Sequence, residues 1–328
     1  MNHETIRRIV RASGVTTGEL VLVHFWGEDC DKPIANDFLT AVAACGATPV
    51  LLQQSRSLNR RLFAEVSEQA FDDRYFTCFS SFDAVLDVFT YRPIVLGAEL
   101  PPWQMDQYRR YIRTLFGALT HAKRFTQLRI PTAANAEESG LEPSDYLARM
   151  EQAYDLDYGH LLVQCRETLS ELQRDHLTLR TGRDCLLSFD LSGRTWHVDA
   201  GDGDWPCGEV YIAPNECATQ GTIWFETLFW EDLGCFADVL LTIENGVAVR
   251  SNHGEINAYL ATQPVESRVV CELGLGMNPN VTSLCGYTVL DEKMAGTFHI
   301  ALGANHMFGG TNHAAIHTDL VGFGQLYP

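Results

Sequence analysis

The chain has 328 residues, 46% of them apolar, and a formal net charge of −18. That length suggests two domains of ordinary size, each with its own core, and the acidic balance disfavours nucleic acid phosphates and anionic membranes as partners. No apolar run approaches the roughly 20 residues that cross a bilayer. The N-terminal MNHETIRRIV shows neither an apolar leader core nor a small-residue cleavage site, so the expected location is cytoplasmic. The ten cysteines include no C-x-x-C pair. They are expected to be reduced, small apolar side chains of the interior.

Taken in chain order, residues 6–12 read as a helix. Residues 19–26, ELVLVHFW, form the near-continuous apolar run of a strand buried on both faces. A helix over 33–45, stopped by Gly46, leads to a second strand over 47–53. A helix over 58–70, short strands over 84–90 and 93–97, an amphipathic helix over 103–123 and a strand over 125–130 complete the first half. Strands separated by helices predict an α/β domain with a mostly parallel sheet. No G-x-G-x-x-G follows the first strand and no G-x-x-x-x-G-K-[ST] occurs anywhere. The loop after that strand, GEDCDKP, is acidic where a phosphate would sit, so a Rossmann-like fold without nucleotide chemistry is expected.

Residues 143–154 and 158–174 read as helices, the second with an apolar stripe through Tyr158, Leu161, Cys165, Leu169 and Leu172. From Leu177 the texture changes to short β runs separated by turns such as GRD and LSGR. Helical spacing returns only over 255–260. The expected division is therefore a Rossmann-like α/β domain over 1–175 and a mainly antiparallel, β-rich (α+β) domain over 176–328.

The second half carries the chemistry. Four of the eleven histidines, His299, His306, His313 and His317, fall within the stretch 286–321. His317-Thr318-Asp319 puts an imidazole and a carboxylate on the same face of an extended strand. That pair suits zinc, manganese, cobalt or ferrous iron. Glu272 is the only charge in VCELGLGMNP, where an unpaired carboxylate is costly. His299 sits in the apolar FHIALG and Glu209 heads the strand GEVYIAP. Alone, His299 reads as a core histidine and Glu209 as a solvated strand end. Together, three carboxylates and two imidazoles in strand contexts make the inventory of a two-metal hydrolytic site.

In order and spacing, GEVYIAP, CELGLGMNP, DEKMAGTFHIALG and GGTNHAAIHTDLV resemble the motifs of the aminopeptidase T family, the M29 metallopeptidases, which include thermophilic leucyl-aminopeptidase-like proteins. The resemblance covers roughly residues 175–328, and the first half only by fold class. It implies a β-rich catalytic domain with two divalent ions (zinc, cobalt or manganese), often in a homodimer, acting on a small peptide or amide. The ligands it implies are Glu209, Glu272, His299, His317 and Asp319, with Glu272 also a proton shuttle. The family's tyrosine seven residues after the first histidine is His306 in this chain. That gives His306 a place in the expected catalytic set. The same superfamily resembles the 2,5-dihydroxypyridine dioxygenases, which hold one Fe(II) by two histidines and one carboxylate. There the position of Glu272 looks like histidine, so the glutamate favours the hydrolytic arrangement.

Overall fold

The computed structural model describes residues 1–93 and 100–328. The chain forms two compact units, Met1–Tyr158 with Gly201–Pro206, and Gly159–Ala200 with Cys207–Pro328. The expected division near residue 175 differs from this in two ways. The helix Tyr158–Leu172 falls almost entirely in the second unit, where Leu172 packs against the core. A short return of the chain at 201–206 adds an edge strand to the first unit.

The first unit is built on four strands in alternation with helices: β1 (Leu20–Trp26), β2 (Thr48–Gln54), β3 (Ala84–Phe89) and β4 (Arg124–Arg129). They lie in the order β2-β1-β3-β4, all parallel, and Asp204–Trp205 joins beyond β4. The first helix, His3–Ala12, begins where the Asn2 side chain accepts from the Thr5 N–H at 2.9 Å. The helix expected over 58–70 is Arg56–Ala64, capped by Ser55, and the chain then turns through Phe71 at φ 59°. The expected 93–97 strand lies almost wholly outside the described residues. His24 and Asp87 face each other in register on β1 and β3, with Gln127 next in line on β4. The His24 Nδ1 and Asp87 Oδ1 atoms are 2.8 Å apart, and both side chains are buried.

The second unit is antiparallel, as its texture predicts. Its strands are β5 (His176–Arg180), β6 (Leu186–Asp190), β7 (His197–Asp199), then, after Asp204–Trp205 (β8) of the first unit, β9 (Glu209–Ile212), β10 (Gln220–Trp230), β11 (Gly234–Glu244), β12 (Val247–Ser251), β13 (Val270–Gly276), β14 (Phe298–Gly303), β15 (His317–Gly322) and β16 (Gln325–Tyr327). One sheet runs β12-β11-β10-β6-β5-β16 and the other β15-β14-β13-β9-β7. The GRD turn between β5 and β6 holds Arg183 and Asp184 at positive φ. The inward faces of both sheets supply one core, with Phe225, Leu241 and Ile243 from the first and Leu273, Ile300 and Leu320 from the second.

Of the ten cysteines, all free, four are exposed rather than interior: Cys30, Cys78, Cys217 and Cys235. Among the described residues, no helix is long and apolar enough to cross a membrane.

Candidate metal centre

Alternation assigns each side chain of the β15-β14-β13-β9-β7 sheet to one of two faces. Phe298, Ile300 and Leu302 of β14 enter the core, so His299 and Ala301 point the other way. The register carries that outer face across the sheet. Asp319 pairs with Ala301, Glu272 with Ala301, Gly274 with His299, Tyr211 with Gly274, and His197 with Tyr211. Glu209 pairs with Gly276 on one side and Asp199 on the other. The core-forming residues thus sit on one face and nearly all the ionisable groups on the other.

A one-residue bulge makes this work on β13. Val270 pairs with Leu302 and Glu272 with Ala301, so two residues of β13 oppose one step of β14. Val270 and Leu273, three apart, both reach the core, which places Glu272 between them on the outer face. Gly274 is required as glycine, because a Cβ there would lie 2.0 Å from His299 Nε2.

The five expected ligands converge. Glu209, Glu272 and His299 form one group and Glu272, His317 and Asp319 another, with the donor atoms of each within 4.8 Å of one another. Glu272 is shared. Its Oε1 stands 3.2 Å from His299 Nε2 and its Oε2 3.3 Å from His317 Nε2. His299 Nε2 is 3.5 Å from Glu209, and His317 Nε2 is 3.5 Å from Asp319. Two donors held at about 2.1 Å from one ion, at tetrahedral to octahedral angles, stand roughly 3.0–3.4 Å apart. The two Glu272 separations fall in that range and the two at 3.5 Å lie just above it.

His317 adds a tautomer argument. Its Nδ1 lies 2.8 Å from the Ala304 carbonyl, which can only accept, so Nδ1 carries the proton. Once a cation displaces the Nε2 proton, the lone pair of the neutral ring would lie on Nε2, turned toward Glu272 and Asp319. A backbone partner of this kind commonly orients a metal-binding histidine.

The charge inventory points the same way. Glu292 and Lys293, at the end of the short helix Thr288–Asp291, join the outer face. Lys293 is buried, bonds to Glu209 and reaches Glu292 at 2.9 Å. Asp199, Glu209 and Glu292 thus bear on buried Lys293, and Glu272 and Asp319 bring the carboxylates of this face to five. Burial pushes the Glu209 carboxyl up to about 8, and the nearby Lys293 does not offset it. Burial also opposes ionisation of Glu272, but hydrogen bonds from His299 and His317 hold it below its ordinary value. Burial pulls His299 down, yet Glu272 and Glu209 outweigh it and raise it to about 9. Asp319 is held at about 2 against burial by its bond from His317. Without a cation the cluster holds protons in its place, and divalent ions would balance it better.

His306 is not among the converging residues. It sits in the exposed turn His306–Phe308 with its ring stacked on His313 at 4.2 Å. The residues that sequence reasoning missed are Asp199, Glu292, Lys293 and Tyr211. The DEK triplet was the one available signal, as three consecutive charges ahead of the apolar MAGTFHIALG.

The sequence profile of the thermophilic metalloproteases (M29) matches residues 156–325, more than half of the chain. The chain belongs to the M29 metalloprotease family. No curated protein matches the sequence. The fold is shared with solved structures, among them the following two. Wild-type AmpT from Thermus thermophilus is 20% identical at a TM-score of 0.66, covering 99% of this chain and 96% of its own. A 2,5-dihydroxypyridine dioxygenase from Pseudomonas putida is 15% identical at a TM-score of 0.67, covering 99% and 92%. At these identities the likeness establishes the fold alone, and the family assignment carries metal-dependent hydrolase chemistry.

Proposed function

We propose that this protein is a two-metal aminopeptidase-like hydrolase that removes the N-terminal amino acid from a small peptide or cleaves a related amide. The observation that carries the reading is the pair of donor groups sharing Glu272. One group holds Glu209 and His299, the other His317 and Asp319, and Glu272 would bridge them. When bound, divalent ions would supply an activated water and polarise the carbonyl under attack.

The chain's own groups divide the remaining work. Both Glu272 oxygens are engaged, one by each histidine, so the proton-shuttle role expected of it falls to another carboxylate. Glu292 is the candidate. It lies outside both donor groups, is raised by burial, and feels the charges of Lys293, Asp319 and His299. A carboxyl raised in this way suits taking the water's proton and returning it to the departing amine. Lys293, fixed between Glu209 and Glu292, orients both.

The test is release of a chromogenic amine from aminoacyl anilides after loading with zinc, cobalt or manganese. Turnover that depends on metal and disappears in Glu272→Gln supports the reading. The glutamate at position 272 speaks against the single-iron dioxygenase alternative. One tightly held iron with oxygen uptake on a dihydroxypyridine would establish that alternative instead.

A further inference from the structure

Hydrolysis of an amide needs a donor aimed at the carbonyl oxygen as negative charge grows there. On the outer face of the metal-centre sheet, we infer that Tyr211 is that donor. The inference rests on the hydrolase reading above.

Tyr211 shares the face with the ligand set by register, two residues from Glu209 on β9 and directly opposite Gly274, whose missing side chain makes room for His299. Two rings fix its orientation. His197 of β7 stacks on it at 5.2 Å and 23°, and Phe308 meets it edge-on at 5.5 Å. Phe308 also touches the His317 ring at 5.9 Å, so the tyrosine and a candidate ligand flank one aromatic spacer. Phe308 is itself held, because its carbonyl is 3.1 Å from His197 Nε2, and the carbonyl of Gly309 accepts from Arg194. Buried Asn305 ties the same loop down, donating to the Cys271 carbonyl at 3.2 Å and to Glu216 at 3.1 Å. The hydroxyl of Tyr211 is therefore presented by a rigid aromatic frame and does not swing on a free side chain.

Three other donors on this face are committed. Lys293 is held by two carboxylates, His197 Nε2 by the Phe308 carbonyl, and His317 Nδ1 by the Ala304 carbonyl. Among the described residues, none of the groups acting on the Tyr211 hydroxyl is a hydrogen-bond partner. A tyrosine O–H on the face of the ligand set donates to the carbonyl oxygen as it becomes anionic, and no further co-reactant is needed.

A tetrahedral phosphonate analogue of an aminoacyl amide reports on this interaction without turnover. Calorimetric titration of the zinc-loaded full chain should show binding that weakens on the order of 100-fold in Tyr211→Phe. The zinc count should be unchanged, and Tyr327→Phe, an exposed tyrosine on the edge strand β16, should behave as wild type. Equal affinity of Tyr211→Phe and wild type overturns the inference, as does a loss seen in His306→Ala and not in Tyr211→Phe. Wild type that binds zinc but no phosphonate also overturns it. Wild type that binds no zinc removes the hydrolase reading beneath it, an outcome the zinc count separates from the others.

Discussion

Each unit buries ionisable side chains in register across a sheet, and the two solve the electrostatic problem differently. In the parallel sheet, His24 and Asp87 meet one to one at 2.8 Å, with side-chain exposures of 3% and 2%. There each group has the other as its close partner. In the β15-β14-β13-β9-β7 sheet, five carboxylates face one lysine and two histidines. Burial of charge does not by itself mark a site. An uncompensated surplus of one sign does, because such a surplus is stable only with protons or cations bound.

That contrast can be broken by mutation. Glu272→Gln should lower amide hydrolysis by on the order of 10³-fold or more, together with the loss of bound metal, since one side chain serves both groups. Glu292→Gln should lower kcat by about 10²–10⁴-fold while leaving the metal count intact. If both variants lose metal equally, the division of roles between the two glutamates is wrong. Asp87→Ala, in the one-to-one pair, should cost about 3 kcal/mol in urea denaturation with metal affinity unchanged. A zinc affinity that falls in Asp87→Ala would end the distinction between the two regions.

A smaller effect sharpens the same point. Glu209, pushed up to about 8, and His299, raised to about 9, hold protons near neutrality when no ion is bound. A metal must displace them, so zinc affinity should rise as pH increases from about 6 to 9. Calorimetry in buffers of different ionisation enthalpy should register net proton release on zinc binding. A pH-independent affinity would contradict the proton-for-cation exchange.

Much of the metal centre was legible in the sequence because a strand has a period of two. His317-x-Asp319 and the lone His299 among apolar residues declare a face without any knowledge of partners. Glu272 stood out through the cost of a charge in an apolar run. Lys293, Asp199 and Tyr211 acquire meaning only from pairing across strands. Asp199 reads as a turn residue until β7 lies against β9, and Tyr211 reads as one apolar residue of GEVYIAP until Gly274 lies opposite. The bulge at Cys271 is equally hidden, since the pattern of β13 shows no break in composition. His306 shows the converse. Its position along the motif suggested a catalytic place, but the Gly- and Asn-rich loop turns it outward onto His313. In the first half, periodicity found the strands and most helices, while the Gly201–Pro206 return depends on a contact distant in sequence.

The central claim is that the shared carboxylate of Glu272 joins two cation sites. Elemental analysis of the purified chain, combined with anomalous scattering at the metal edges, tests it most directly. The account predicts two divalent ions per chain, one between Glu209 and His299 and one between His317 and Asp319, with Glu272 on both. A reconstituted protein that takes up no divalent ion, or a single ion that leaves Glu209 and His299 without one, would contradict it.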